Sequence, residues 1–197
     1  MVTSVRVIFE GWLHRKDDVL LEAHSTSTLV VTEGHKVLVD TSTKEQRAPL
    51  LQGLNAAGLR PEDIDILINT HLHRDHTGNN DLFTSALKMA RSEERPDASF
   101  MCITEDAEVL PGINLMHTPG HSRGSMSVVV ETDDRRYVIA GDAIPTRDNL
   151  EKWRPPMINY DRSVALDSMR RIAEIADVIV PGHGNAFEPD PSSWKKR

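Results

Sequence analysis

The sequence predicts an α+β chain built from two β-sheets with helices packed outside them. Three observations lead there. Short apolar runs of strand length open the chain and recur to its end, two amphipathic helical stretches interrupt them, and the second helix is followed at once by another strand. Sheets in that order bury one face against each other and cover the other with helices.

Taken in order, Val5-Arg6-Val7-Ile8-Phe9 alternates as a strand. Residues 27–32 and 36–40 are strands flanking Glu33-Gly34-His35, a short glycine-containing connection suited to a hairpin. Between Lys44 and Ala57 the apolar positions Ala48, Leu50, Leu51, Leu54 and Ala57 recur at helical intervals, and Gly58 stands where a helix commonly ends. Pro61-Glu62-Asp63 introduces Ile64-Asp65-Ile66-Leu67-Ile68, a buried strand that runs directly towards His71. Residues 99–103, 113–116, 126–130 and 136–140 are of strand length. Residues 163–176 form a helix with Val164, Leu166, Met169, Ile172, Ala173 and Ala176 on its apolar side, and 177–180 return to strand. Residues 11–25 are read as a mobile flap, with Trp12 and Leu13 offering an apolar contact.

The 197 residues suit one compact domain, 1–197, without repeats or a linker. Charge sums to −7 and 39% of residues are hydrophobic, an ordinary soluble profile. No apolar run approaches the roughly 18 residues of a membrane span, so no membrane partner is expected. The start, Met1-Val2-Thr3-Ser4-Val5-Arg6, lacks the regions of a signal peptide, and the expected location is cytoplasmic. The single cysteine, Cys102, excludes an intrachain disulfide framework and a Cys-only metal site; it is read as a small buried hydrophobe. Lys195-Lys196-Arg197 is read as a disordered end. Against this background nine histidines stand out.

Thr70-His71-Leu72-His73-Arg74-Asp75-His76-Thr77-Gly78 packs three imidazoles and a carboxylate directly behind an apolar strand. In extended backbone His71 and His73 project to one side. Asp75 and His76 fall where the chain can turn into a helix and converge from another angle. Such groups suit Zn²⁺, Mn²⁺ or Fe²⁺. Three further candidates follow other apolar runs: His121 in Thr118-Pro119-Gly120-His121, Asp142 in Ala140-Gly141-Asp142, and His183 in Val180-Pro181-Gly182-His183-Gly184. Alone, each would be an ordinary loop or turn residue; beside the cluster each is read as a ligand. His117 is assigned to packing or outer bonding, and His14, His24 and His35 to the surface or loops.

This pattern, H-x-H-x-D-H followed by His, Asp and His at successive strand ends, resembles the metallo-β-lactamase superfamily over nearly the whole chain. The resemblance implies an αββα sandwich with a metal site at one edge of its paired sheets. It also implies that His71, His73 and His121 hold one metal, that Asp75, His76 and His183 hold the other, and that Asp142 bridges them. Asp40 resembles the family's strand-terminal aspartate, which would orient a ligand imidazole from outside. Segments 118–121, 127–130, 138–142 and 176–184 are most similar to an animal sub-family described as histone pre-mRNA endoribonucleases.

Two adjacent divalent cations, Zn²⁺ first and Mn²⁺ or Fe²⁺ as alternatives, would share a water and supply a metal-bound hydroxide near neutral pH. Asp75 is the candidate catalytic residue, orienting that water or receiving its proton. The implied function is a dinuclear metal-dependent hydrolase, with nucleic-acid phosphodiester cleavage as the first reading. Acidic net charge weakens attraction to polyanions. The alternatives are a small-molecule ester, thioester, lactone or amide hydrolase, a mononuclear iron persulfide dioxygenase, and a metal-stabilised binding protein. Pro145 stands where quorum-signal lactonases usually carry tyrosine, which counts against the lactone. Ser122, Arg123, Arg147, Lys152 and Arg154 follow His121 and Asp142 closely enough for one or more to meet an anionic substrate group.

Overall fold

The structure, a computed structural model, describes residues 3–17, 19–32 and 34–194; Glu33 and the 195–197 end lie outside them. The chain begins with β1 (Ser4–Phe9), β2 (Trp12–Lys16), β3 (Val19–His24), β4 (Ser27–Thr32) and β5 (His35–Val39). Then come α1 (Arg47–Ala56), β6 (Ile66–Ile68), α2 (Arg74–Thr77), β7 (Leu87–Arg91) and β8 (Phe100–Ile103). The second half holds β9 (Ala107–Leu110), β10 (Ile113–His117), β11 (Met126–Glu131) and β12 (Arg136–Gly141). It ends with α3 (Arg147–Glu151), α4 (Arg162–Ile175), β13 (Val178–Pro181) and α5 (Pro191–Trp194).

The first sheet runs β1-β4-β5-β6-β7-β8, antiparallel as far as β5 and parallel beyond. The second runs β13-β12-β11-β10-β9, with β12 and β13 parallel and the rest antiparallel. Both are mixed. Side-chain alternation deals each strand's apolar residues to two cores. Val37 and Val39 join Val128 and Val130 between the sheets. Leu38 points the other way, onto Leu50 and Leu54 of α1. Val129 and Val138 turn outwards to Met169, Ile172 and Ala173 of α4. Each fully buried side chain of this kind contributes about 1.5–3 kcal/mol. The result is helix, sheet, sheet, helix, as the sequence predicts.

Several sequence expectations need correction. Cys102 is exposed rather than buried. It lies on β8, an edge strand, and the apolar cluster beneath α1 draws on β4, β5 and β6 without reaching it. Ala48 is exposed although its spacing matches the apolar face, because α1 buries chiefly Leu50 and Leu54. The flap read over 11–25 contains an antiparallel hairpin of β2 and β3 whose register shifts between His14 and Arg15. Strands β7 and β9 escape the sequence reading altogether. Lys88 and Arg91 disguise β7, whose Arg91 is only 4% exposed because Glu93 and the Thr104 carbonyl receive its guanidinium at 2.9 Å. Among the described residues no helix is long and apolar enough to cross a membrane.

Strand direction decides where the polar loops meet. Strands β10, β12 and β13 all run one way, so their C-terminal ends share a rim. The end of β6 joins that rim through Met126 N–H, at the start of β11, which donates to the Thr70 carbonyl at 2.9 Å.

Candidate metal centre

Each predicted ligand emerges just beyond one of these strand ends. The chain leaves β6 through Asn69 and Thr70, stays extended at His73, and enters α2, which turns Asp75 and His76 back towards the strand end. His121 lies in the loop after β10, Asp142 follows β12 directly, and His183 stands two residues past β13.

The structure brings all seven together. Donor atoms of His71, His73 and His121 lie within 4.8 Å of one another, and so do those of Asp75, His76 and His183. In the first trio His73 Nδ1 is 3.1 Å from His71 Nε2 and 2.9 Å from His121 Nε2. In the second, Asp75 Oδ2 is 3.6 Å from His183 Nε2 and 3.9 Å from His76 Nε2. Asp142 stands between them. Its Oδ2 is 3.5 Å from His121 Nε2, while Oδ1 is 3.1 Å from His183 Nε2 and 3.4 Å from His76 Nε2. One carboxylate therefore presents an oxygen to each trio.

Outer ring nitrogens are held as a metal site requires. His76 Nδ1 meets Asp40 Oδ2 at 2.7 Å, His121 Nδ1 donates to the Ile158 carbonyl at 2.9 Å, and His183 Nδ1 donates to the His24 carbonyl at 2.8 Å. Each bond leaves an Nε2 facing inwards. His76 Nε2, His183 Nε2 and Asp142 Oδ1 are buried with no properly directed hydrogen bond. Leaving three such atoms unpaired is costly, and a divalent cation satisfies them together. Nitrogen and carboxylate donors without thiolate fit Zn²⁺, Mn²⁺ or Fe²⁺.

The surrounding charges move these groups in different directions. Burial, reinforced by the neighbouring His76, pushes His71 well below the ordinary imidazole value and keeps it a neutral donor. Burial would also lower His76, but the Asp40 and Asp142 carboxylates hold it well above. Burial would raise the Asp142 carboxyl, yet the His183 and His76 imidazoles hold it well below the carboxylate range. Gly182 makes the close approach possible: a Cβ there would come within 2.1 Å of Asp142 Oδ1.

A cavity of about 280 Å³ opens over the site, walled by Leu13 and Leu20 of the β2–β3 hairpin and by Met157 and Ile158 opposite. The hairpin is tied at its base to the ligand loops. Ser25 N–H donates to the Asp75 carbonyl at 3.1 Å and Thr26 N–H to the Gly182 carbonyl at 2.7 Å. The basic residues singled out from the sequence lie on the solvated face, and Lys152 and Arg154 line a neighbouring cavity that shares Leu13, Arg15 and Met157 with this one. Arg147 pairs with Glu151 and Lys152 with Asp148, Arg123 lies over the Tyr160 ring, and none of them, nor Arg154, lines this cavity. Ser122 bonds Glu94 and Ser125 instead. Arg15 and Arg74 are the cations on the cavity wall. Sequence reading also missed the carbonyls of His24 and Ile158, since a main-chain acceptor carries no residue-type signal. His117 bonds the Arg123 carbonyl, away from the ligands.

The metallo-β-lactamase superfamily model matches residues 21–106 and 103–183. The chain belongs to the metallo-β-lactamase superfamily. A probable metallo-hydrolase of Methanocaldococcus jannaschii is 37% identical over 181 residues, covering 91% of this chain and 86% of the relative. Metallo-beta-lactamase domain-containing protein 1 of Xenopus laevis is 34% identical, covering 93% and 81%. Among solved structures, an N-acyl homoserine lactone hydrolase with its product N-hexanoyl-L-homoserine at the catalytic metal centre is similar with a TM-score of 0.73 and 25% identity, covering 92% of each chain. This superfamily member is a metal-dependent hydrolase.

Proposed function

We propose that the chain is a dinuclear hydrolase, Zn²⁺ its metal, acting on a small carbonyl ester or thioester with an apolar acyl group. The observation that carries the dinuclear reading is Asp142, whose two oxygens each face a separate trio of ligand atoms. His71, His73 and His121 would hold one cation, and Asp75, His76 and His183 the other. Two such cations when bound would lower the pKa of a shared water and polarise the substrate oxygen. Asp75 lines the cavity and its carboxylate is partly open to it, so it is placed to orient the attacking water and take its proton.

The cavity supports the substrate class. Leu13, Leu20, Ala23, Pro156, Met157 and Ile158 make its walls apolar, and about 280 Å³ suits a small acyl group rather than a polynucleotide. A similar fold holding an acyl homoserine product at its metal centre points the same way. Pro145, on the cavity wall, offers no hydroxyl, so esters and thioesters stand ahead of lactones. A phosphodiester is the second reading, favoured by Arg15 and Arg74 at the same wall.

Elemental analysis of the purified protein, joined to a panel of esters, thioesters, lactones and phosphodiesters with and without chelator, tests this. We expect two zinc ions per chain and hydrolysis of acyl esters or thioesters that chelator abolishes. Asp142→Asn and His121→Ala should each lower metal content and remove activity while the circular dichroism spectrum stays. Full activity in metal-stripped protein would refute the mechanism, cleavage of phosphodiesters alone would move the assignment to the second reading, and iron with oxygen consumption would indicate the dioxygenase.

A further inference from the structure

Glu94 carries none of the chemistry described so far, yet its carboxylate touches both loops of the first ligand trio. It lies in a 3₁₀ turn just after β7, a strand that supplies no candidate ligand. Its Oε2 accepts from Leu72 N–H at 3.0 Å, and Leu72 is the residue between His71 and His73. Its Oε1 accepts from Ser122 Oγ at 2.6 Å and from Gly124 N–H at 2.9 Å, in the loop that begins with His121. One side chain thus staples a loop of the first sheet to a loop of the second.

Gly124 is shaped for that contact. A Cβ at this position would come within 2.7 Å of Glu94 Cγ and 2.8 Å of Glu94 Oε1, so only glycine lets the carboxylate reach the backbone N–H. The second trio is fixed differently: His76 rests on Asp40, and His183 on the His24 carbonyl. His73, the exposed member of the first trio, turns its Nδ1 inwards. Its position therefore depends on the backbone that Leu72 N–H anchors.

We propose that Glu94 is a positioning residue that sets the spacing of the His71–His73 loop against the His121 loop, and thereby the metal affinity of the first trio selectively. The inference rests on the two-metal reading above. Carboxylates outside a ligand shell commonly control affinity by roughly 10- to 100-fold, and a charged acceptor holding three donors is among the stronger such devices.

Zinc titration of metal-stripped protein by calorimetry, with the visible spectrum of the Co²⁺-substituted form as a second readout, tests it. Wild type should bind two ions. Glu94→Ala should keep one tight site and weaken the other by roughly 10- to 100-fold, with a Co²⁺ spectrum altered for one ion only. Glu94→Gln retains the shape but turns an NH₂ towards one of its donors, and should show the same selective loss to a smaller degree. Gly124→Ala keeps the Glu94 carboxylate but drives a Cβ against it, parting it from the Gly124 N–H, and should reproduce the loss. Two affinities that fall together, or stand unchanged, in both Glu94→Gln and Gly124→Ala would overturn the inference while leaving the metal reading intact. Wild-type protein that binds no zinc would overturn the metal reading, and the inference with it.

Discussion

Asp40 accepts hydrogen bonds from Thr70 N–H at 2.9 Å and Thr70 Oγ1 at 2.7 Å, while facing His76 Nδ1 at 2.7 Å. It is 2% exposed and sits at φ 57°, a left-handed conformation that aspartate tolerates better than most residues. Strain of this sort gathers at functional sites. Here it bends the chain off β5 so that the carboxylate can reach the end of β6. Replacing it with the neutral isostere separates charge from shape: Asp40→Asn should weaken zinc binding at the second trio by roughly 10- to 100-fold and leave the first near its wild-type affinity. Competition with a chromophoric chelator measures this, and equal loss at both sites would count against it. The motif made Asp40 legible as a partner for an imidazole. That the imidazole is His76 follows from parallel pairing of β5 and β6, in which Val39 lies beside Ile68.

Among the elements, α4 is well marked in the sequence because its apolar stripe recurs at helical spacing; its cap is a finding of the structure. Asp161 accepts from Ser163 N–H at 2.8 Å and Val164 N–H at 3.1 Å, satisfying two donors of the first turn. Its capping bonds hold its carboxyl below the usual range, the Ser163 hydroxyl contributing most. Asp161→Ala should lower the urea midpoint while leaving the slope unchanged. This helix also matters to the site, since the 156–160 segment leading into it carries the Ile158 carbonyl that His121 contacts. The β2–β3 hairpin was much less legible. Its strands are largely exposed and have no deep core to impose strict alternation, so composition looks like loop while cross-strand pairing makes a hairpin. Strand β7 was hidden for the opposite reason, its charged Arg91 being buried but paired.

For the molecule as a whole, the rim where the two sheets meet is held by packing on one side and by ligand groups on the other. Without a cation, His76 Nε2, His183 Nε2 and Asp142 Oδ1 stay buried and unsatisfied, so metal binding and stability are linked. At free zinc about 100-fold above Kd the stabilisation is about 2.7 kcal/mol per site. For a chain of this size that corresponds to a rise in Tm of about 5–10 °C per site, or about 10–20 °C with both sites filled. Scanning calorimetry with excess zinc and then with chelator should show that difference, and coincident melting curves would exclude the linkage. The three apolar cores, one between the sheets and one outside each, contain none of the candidate ligands, so the stripped protein should still melt cooperatively.

Residue type and order carried the layers, because alternation of apolar residues is a local property, and they marked the candidate ligand positions through the resemblance of the H-x-H-x-D-H pattern to a known family. Tertiary structure alone decided which imidazole rests on which acceptor and which cations face the cavity. It also decided that Glu94 spans two loops and that Cys102 faces solvent. Those facts depend on strand direction, on sheet edges and on main-chain carbonyls, none of which has a counterpart in the identity of any single residue.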